Sequence, residues 1–169
     1  MAVTFQWAKT YGASPGTRAN LGASGNLFNF MDLDSNTASA YALNPVHAGE
    51  NSYEVWLQGC WPTDSEWNTI GNLQFWQSTN FAPSGGVSVK FGTATGYATP
   101  VKTTSTVASA SVATADPGEA NVTIGGAASG QLSASGYSDY IILQGQLGAA
   151  TEEGDRTTDA IWSLQYDVS

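Results

Sequence analysis

A chain of 169 residues is long enough to bury a core without disulfides or metals as props, and residues 1–169 are read as one domain. Only 11% of the residues are charged, about half the usual share, while 41% are hydrophobic, so polarity comes from Ser, Thr, Asn, Gln and 19 glycines. The formal charge of −9, with its five basic residues (Lys9, Arg18, Lys90, Lys102, Arg156) scattered, argues against direct nucleic-acid binding, which needs clustered Lys and Arg on phosphates.

The opening MAVTFQWAKTYG has no apolar run behind a basic start and is not read as a signal peptide. The expectation is synthesis in a cytoplasm and departure by lysis or assembly. No apolar run reaches the roughly 18 residues that span a bilayer, so no membrane partner is expected.

Thr4 to Trp7 reads as a short strand. AKTYGASPGTRANLGASG, punctuated by Gly, Pro and Ser, reads as loop. Leu27 to Leu33 alternates and reads as a strand; Asn36 to Gly49 is ambiguous, with Asn44-Pro45 as a turn signal. Ser52 to Gly59 is a strand with Tyr53, Val55 and Leu57 on one face and Glu54, Trp56 and Gln58 on the other. Pro62 breaks it, and TDSEW permits one helical turn. Thr69 to Thr79 is a strand with Leu73 and Phe75 opposed by Gln74 and Trp76. Gly85-Gly86 then turns the chain into the alternating strand Val87 to Phe91.

From Gly92 to Gly136 small residues dominate, but alternation persists from Val101 to Ser111, which predicts slender strands paired at an edge or against another subunit. Asp116-Pro117-Gly118 is a turn, and Asn121 to Ile124 a strand. The last third carries two strands rich in β-branched and aromatic residues, Gly136 to Gly148 and Ala160 to Val168. In the second, Trp162, Leu164, Tyr166 and Val168 share one face, which predicts a sheet with one wet and one buried side. Nine or ten short strands and no helix-period segment imply an all-β antiparallel sandwich of jelly-roll-like type. The predicted core is Tyr53, Val55, Leu57, Leu73, Phe75, Trp162, Leu164 and Tyr166.

Signals for chemistry are sparse. Cys60 is the single cysteine and His47 the single histidine, so no internal disulfide forms and a buried structural thiol is the expectation. Asp32-Leu33-Asp34-Ser35-Asn36 opens like a calcium loop, but Thr37 stands where Gly is needed and Leu43 where Glu is needed, so a solvated turn is expected. Glu54 and Glu66 are the carboxylate pair that could serve glycoside hydrolysis if they faced each other across a cleft. No P-loop, GxSxG, HExxH or paired CxxC motif occurs, and no catalytic, cofactor or metal site is expected. Of six tryptophans, Trp56 and Trp76 lie opposite the aliphatic faces of their strands. They are the candidates for stacking on a sugar or a partner; the competing reading is a sheet covered on both faces, by core on one side and by a loop or neighbouring subunit on the other.

The stretches IGNLQFW (Ile70 to Trp76), VSVKFGTATGYATP (Val87 to Pro100), GYSDYIILQGQLG and the terminal WSLQYDV resemble those of small β-sandwich virion proteins of tailed phages and related viruses. The resemblance carries no catalytic signature. It implies a non-enzymatic capsid decoration or cement protein, or another minor capsid-surface protein, that resides in the virion and forms homo-oligomers. Its implied partners are the major capsid protein or other virion subunits. The competing class is a carbohydrate-binding sandwich for host attachment.

Overall fold

The computed structural model describes residues 4–22, 28–35, 43–62, 68–79, 86–122, 131–132, 135–151 and 161–169. Within them the chain forms ten strands: β1 (Gln6–Tyr11), β2 (Thr17–Gly22), β3 (Val55–Trp61), β4 (Ile70–Thr79), β5 (Val87–Ala94), β6 (Ala110–Ser111), β7 (Gln131–Leu132), β8 (Gly136–Tyr137), β9 (Tyr140–Leu147) and β10 (Ile161–Val168). They build two antiparallel sheets. The larger runs β2-β1-β3-β9-β5-β6, with β8 also on β3, and the smaller runs β10-β4-β7. The expected all-β sandwich is the architecture observed.

Strand alternation decides what lies between the sheets. Val55, Leu57 and Trp61 of β3, Ile141 and Leu143 of β9, and Ile70, Leu73 and Phe75 of β4 form one buried cluster with Trp7. Trp162, Leu164 and Tyr166 of β10 close it from the other side. Phe75 and Trp162 stack with centroids 5.8 Å apart and planes 3° from parallel, and Tyr166 meets the edge of Trp61 at 5.1 Å. Seven of the eight predicted core residues take these places. Tyr53 does not: it precedes β3, stays half-buried and belongs to neither hydrophobic cluster. Val168, paired with Ile70 at the end of β10, is 40% exposed.

Several predicted elements are corrected. The loop expected after Trp7 is a hairpin of β1 and β2, whose register runs from Trp7↔Gly22 to Tyr11↔Thr17. The turn residues in that stretch mark only its tip, where Gly12 and Gly16 take φ of 85° and 76°. The strand predicted from Leu27 to Leu33 is, over 28–33, an irregular strap. Its alternation has another cause: Phe28 and Phe30 reach over Trp162, with centroids at 5.8 and 6.4 Å. The helical turn predicted at TDSEW lies outside the described residues, as do Thr123 and Ile124 of the Asn121 to Ile124 strand; Val122 makes a lone bridge to Leu73.

Gly136 to Gly148 is not one even strand. Its register on β3 slips by one residue between Tyr137↔Cys60 and Ile141↔Leu57. Ser138 patches that bulge: its N–H donates to Gly59 O (2.9 Å), and its hydroxyl accepts from Gly59 N (3.0 Å).

The largest correction concerns the slender strands predicted over Val101 to Ser111, at an edge or against another subunit: Ala110-Ser111 (β6) does pair at the sheet edge, on β5, but 95–109 forms no strand. It is an irregular flap over the outer face of the larger sheet, and its partners lie in its own chain. The buried amide of Gln144 donates to Thr103 O (2.9 Å) and Ser52 O (3.1 Å), and accepts from Ser105 N (2.9 Å). Ser105 Oγ in turn accepts from Val107 N and Ala108 N. Side chains thus supply what a neighbouring strand would have supplied. Gly92 of β5 lets the flap lie this close, because a Cβ there would stand 2.0 Å from Val107 O.

The edge of β4 away from β10 is closed in a related way. Phe75 N donates to Asn121 Oδ1 (2.7 Å) and Asn121 Nδ2 donates to Phe75 O (2.8 Å), so one side-chain amide replaces a strand residue at that point.

Candidate functional site

The two tryptophans singled out from sequence have opposite fates. Trp56 points to the outer face of the larger sheet, yet it is 1% exposed. Tyr97 from the flap and Tyr140 from β9 meet its ring edge-on at 5.2 and 5.4 Å, and Val107 and Ala108 complete the cover. Trp56 is therefore no exposed platform; the flap has taken the place a ligand would occupy. Both faces of β3 are covered, by core on one side and by this loop on the other.

Glu54, on the same outer face, is 4% exposed. Its Oε2 accepts from Trp56 Nε1 (3.0 Å) and from Val101 N (3.3 Å). That carboxylate anchors the flap and has no open cleft in which to transfer a proton. Its prospective partner Glu66 lies outside the described residues. Cys60 and His47 fall at opposite ends of the larger sheet. Cys60 pairs with Tyr137 before β9 begins, and His47 precedes Gly49, which bonds Gly148 after β9 ends. About the length of β9, roughly 25 Å, separates them. Burial pushes the Cys60 thiol up, as expected of an inert core cysteine.

Trp76 is the tryptophan left at the surface. In β4 it alternates with the buried Leu73 and Phe75, so it faces outward, half-buried. Its cross-strand partner on β10 is Ser163, and in the next outward row exposed Gln165 stands opposite Gln74, which is itself buried. Ser163 Oγ donates to Ser78 Oγ (2.9 Å) beside it. The face is an indole in a bed of hydroxyls and amides, with Ile161 (56% exposed) at the start of β10. Among these residues the one charge is Asp167, which accepts from Asn72 Nδ2 (3.0 Å). Such a surface offers area and hydrogen bonds without charge.

A second group gathers at one end of the sandwich. Lys102 Nζ bridges Asp32 and Glu50, each at 2.8 Å, and Asp32 N donates to Asn44 O (2.9 Å). Asp32 is thereby committed to a lysine, which is the fate of half the suspected calcium loop. The other half, Asp34, accepts from Gly12 N (2.5 Å) on Oδ2. Its Oδ1 is buried without a hydrogen-bond partner. Beside it lies Lys9, 3% exposed, whose Nζ donates to the carbonyl of Ser35. Burial pushes the Lys9 ammonium down against the pull of Asp34, and pushes the Asp34 carboxyl up against Gly12 N–H and Lys9. Among the described residues no cluster of three or more His, Cys, Asp or Glu side chains stands together as a metal site.

The burial of Lys9 is not evident from sequence, because the predicted first strand ends at Trp7. A strand continued to Tyr11 puts Lys9 on the same face as Trp7. A lysine on an apolar face was the available signal. The roles of Glu54 and Gln144 had no such signal, because each depends on a distant segment folding back.

No family model, curated protein or solved structure matches this chain. No helix of the described residues is long and apolar enough to cross a membrane.

Proposed function

We propose that this chain is a non-enzymatic structural subunit of a virus particle, a decoration or cement protein that docks on the capsid surface and works through contact area. The observation that carries the reading is the outward face of the smaller sheet: Trp76 among Ser78, Ser163 and Gln165, with exposed Ile161 at the start of β10. A patch of aromatic, amide and hydroxyl groups suits a protein interface, whose centre is depleted in charge and enriched in aromatics. The commitment of buried polar groups such as Glu54 and Gln144 to the protein's own backbone supports a scaffold role over catalysis. So does the resemblance of four stretches between Ile70 and Val168 to virion β-sandwich proteins. Many weak copies on a symmetric shell add up to firm attachment.

A single observation favours a second reading. A half-buried tryptophan flanked by amides and hydroxyls also suits a sugar ring, although the burial of Trp56 leaves Trp76 without a second platform from that residue. Particles purified from cells infected by the virus that carries the gene test the first reading. The expected result is the chain at constant stoichiometry in the particle fraction. Its absence there, with binding on a glycan array lost in Trp76→Ala, would establish the second.

A further inference from the structure

Sheets in soluble proteins blunt their edges, because an open row of backbone N–H and C=O groups is a template for another strand. Among the described residues, three of the four sheet edges are blunted. β2 carries Arg18 and a bulge, since Leu21 is left over between Trp7↔Gly22 and Ala8↔Asn20. β6 and β7 are two residues long. β10 has none of these devices. It runs eight residues, Ile161–Val168, with no proline, no basic residue and one charge, Asp167. Its ladder with β4 is irregular twice, yet each extra residue belongs to β4. Ser78 is left over between Ile161↔Thr79 and Trp162↔Gln77. Asn72 and Leu73 together oppose Tyr166, and Asn72 takes φ of 51°. β10 itself stays a regular strand, and among the described residues no strand pairs with its other edge.

The direction of its free groups follows from its end. Ser169 N donates to Thr69 O (3.1 Å) and Ser169 O accepts from Thr69 N (2.7 Å), while Ile161 O accepts from Ser78 Oγ. Alternation then turns the N–H and C=O of Trp162, Leu164 and Tyr166 away from β4, toward the open edge. Their side chains face the core, yet each stays partly exposed. One edge thus offers backbone partners and uncovered apolar flank at the same three residues.

We propose that β10 pairs antiparallel with β10 of a second copy about a two-fold axis at Leu164, joining the two smaller sheets into one. The strand is its own complement in this register. On the core face Leu164 meets Leu164 and Trp162 meets the second copy's Tyr166; on the outward face Ser163 meets its Gln165. The two Asp167 carboxylates stand at opposite ends, about 20 Å apart along the strand. That match of apolar with apolar and amide with hydroxyl, with like charges separated, is what assigns the edge to a second copy. A two-fold contact also uses up the edge on both chains, so association stops at the dimer. The pairing uses the backbone edge and not the Trp76 face, so it stands or falls apart from docking on a capsid.

Analytical ultracentrifugation of the full-length chain tests association, and a species of twice the chain mass is expected. Mixing Ser163→Cys protein with Gln165→Cys protein tests the register, because these positions form a non-hydrogen-bonded pair with Cα atoms about 4.5 Å apart, within disulfide reach. Under mild oxidation the mixture should give a disulfide-linked dimer and neither variant alone should; Cys60, common to both, is buried. If a variant fails to fold, hydrogen exchange of the wild type reads the same edge: the Trp162, Leu164 and Tyr166 amides should exchange more slowly as concentration rises. A chain that stays monomeric up to its solubility limit would overturn the proposal. So would a dimer whose mixed variants do not cross-link, a cross-link formed by either variant alone, or exchange at these amides that ignores concentration.

Discussion

Glu54 shows how one side chain commits a surface. Its carboxylate satisfies the Trp56 indole N–H and the Val101 amide at once, tying a strand to the flap above it. Replacing it with alanine strands both donors in a buried site, at about 1–3 kcal/mol for each unsatisfied group. Glu54→Ala should therefore lose about 2–5 kcal/mol in urea denaturation, while Glu54→Gln, which keeps an acceptor, should lose about 1 kcal/mol. Equal losses in the two variants would show that the charge, not the acceptor, matters. Tyr97 makes a second prediction at this scale. Its hydroxyl donates to Gly12 O at 2.6 Å, and burial, with Asp34, Tyr140 and Glu54 nearby, pushes its ionisation well above the ordinary tyrosine range. Above about pH 10 the unfolded chain gives up this proton while the folded chain keeps it. The folded state then binds more protons, so stability falls as pH rises through that region. Melting curves of Tyr97→Phe should show a shallower alkaline decline than wild type; an identical slope would refute the assignment.

At the scale of elements, the flap lies on the sheet because Gly92 leaves room for the Val107 backbone and because Gln144 and Ser105 hold its donors. Gly92→Val puts carbon where the Val107 carbonyl sits. It should lift the flap, expose Trp56 and cost about 1–3 kcal/mol. Hydrogen exchange reads this directly: the Ser105 and Ala108 amides should exchange slowly in dilute wild-type protein and quickly in Gly92→Val. Fast exchange in both would mean the flap is held by something outside the chain. The terminal strand is the other decisive element. Burial of Trp162, Leu164 and Tyr166 contributes roughly 1.5–3 kcal/mol each, comparable in sum with the whole stability of a small domain. Deleting 161–169 should leave no soluble folded protein; a truncated chain with unchanged near-UV circular dichroism would contradict this.

Across the whole molecule, β3, β4, β5, β9 and β10 were legible because bulky side chains alternate along them, as Val55 and Leu57 do against Trp56 and Gln58. The β1–β2 hairpin was hidden because Arg18, Ala19 and Asn20 carry no strand signal of their own, and pairing with β1 supplies it. The 28–33 strap and the 101–109 flap show the converse error. Alternation there reflects aromatic contacts over Trp162 and thin side chains over the outer sheet, with no ladder beneath it. Of the candidate site, Trp76 was readable from its place opposite Phe75, whereas the burial of Trp56 depended on residues some forty positions further along the chain. The flap over 95–109 finds hydrogen-bond partners in its own chain, where an edge or a neighbouring subunit is expected from sequence, and the proposed contact is the β4–β10 face. Co-sedimentation with purified capsids tests that claim most directly, using wild type, Trp76→Ala and Gln165→Arg, the last at an exposed position that leaves packing untouched. The account predicts saturable binding by the wild type and loss of binding in both variants, with melting of Gln165→Arg unchanged. Undiminished binding by both variants, or no binding by the wild type, would contradict it.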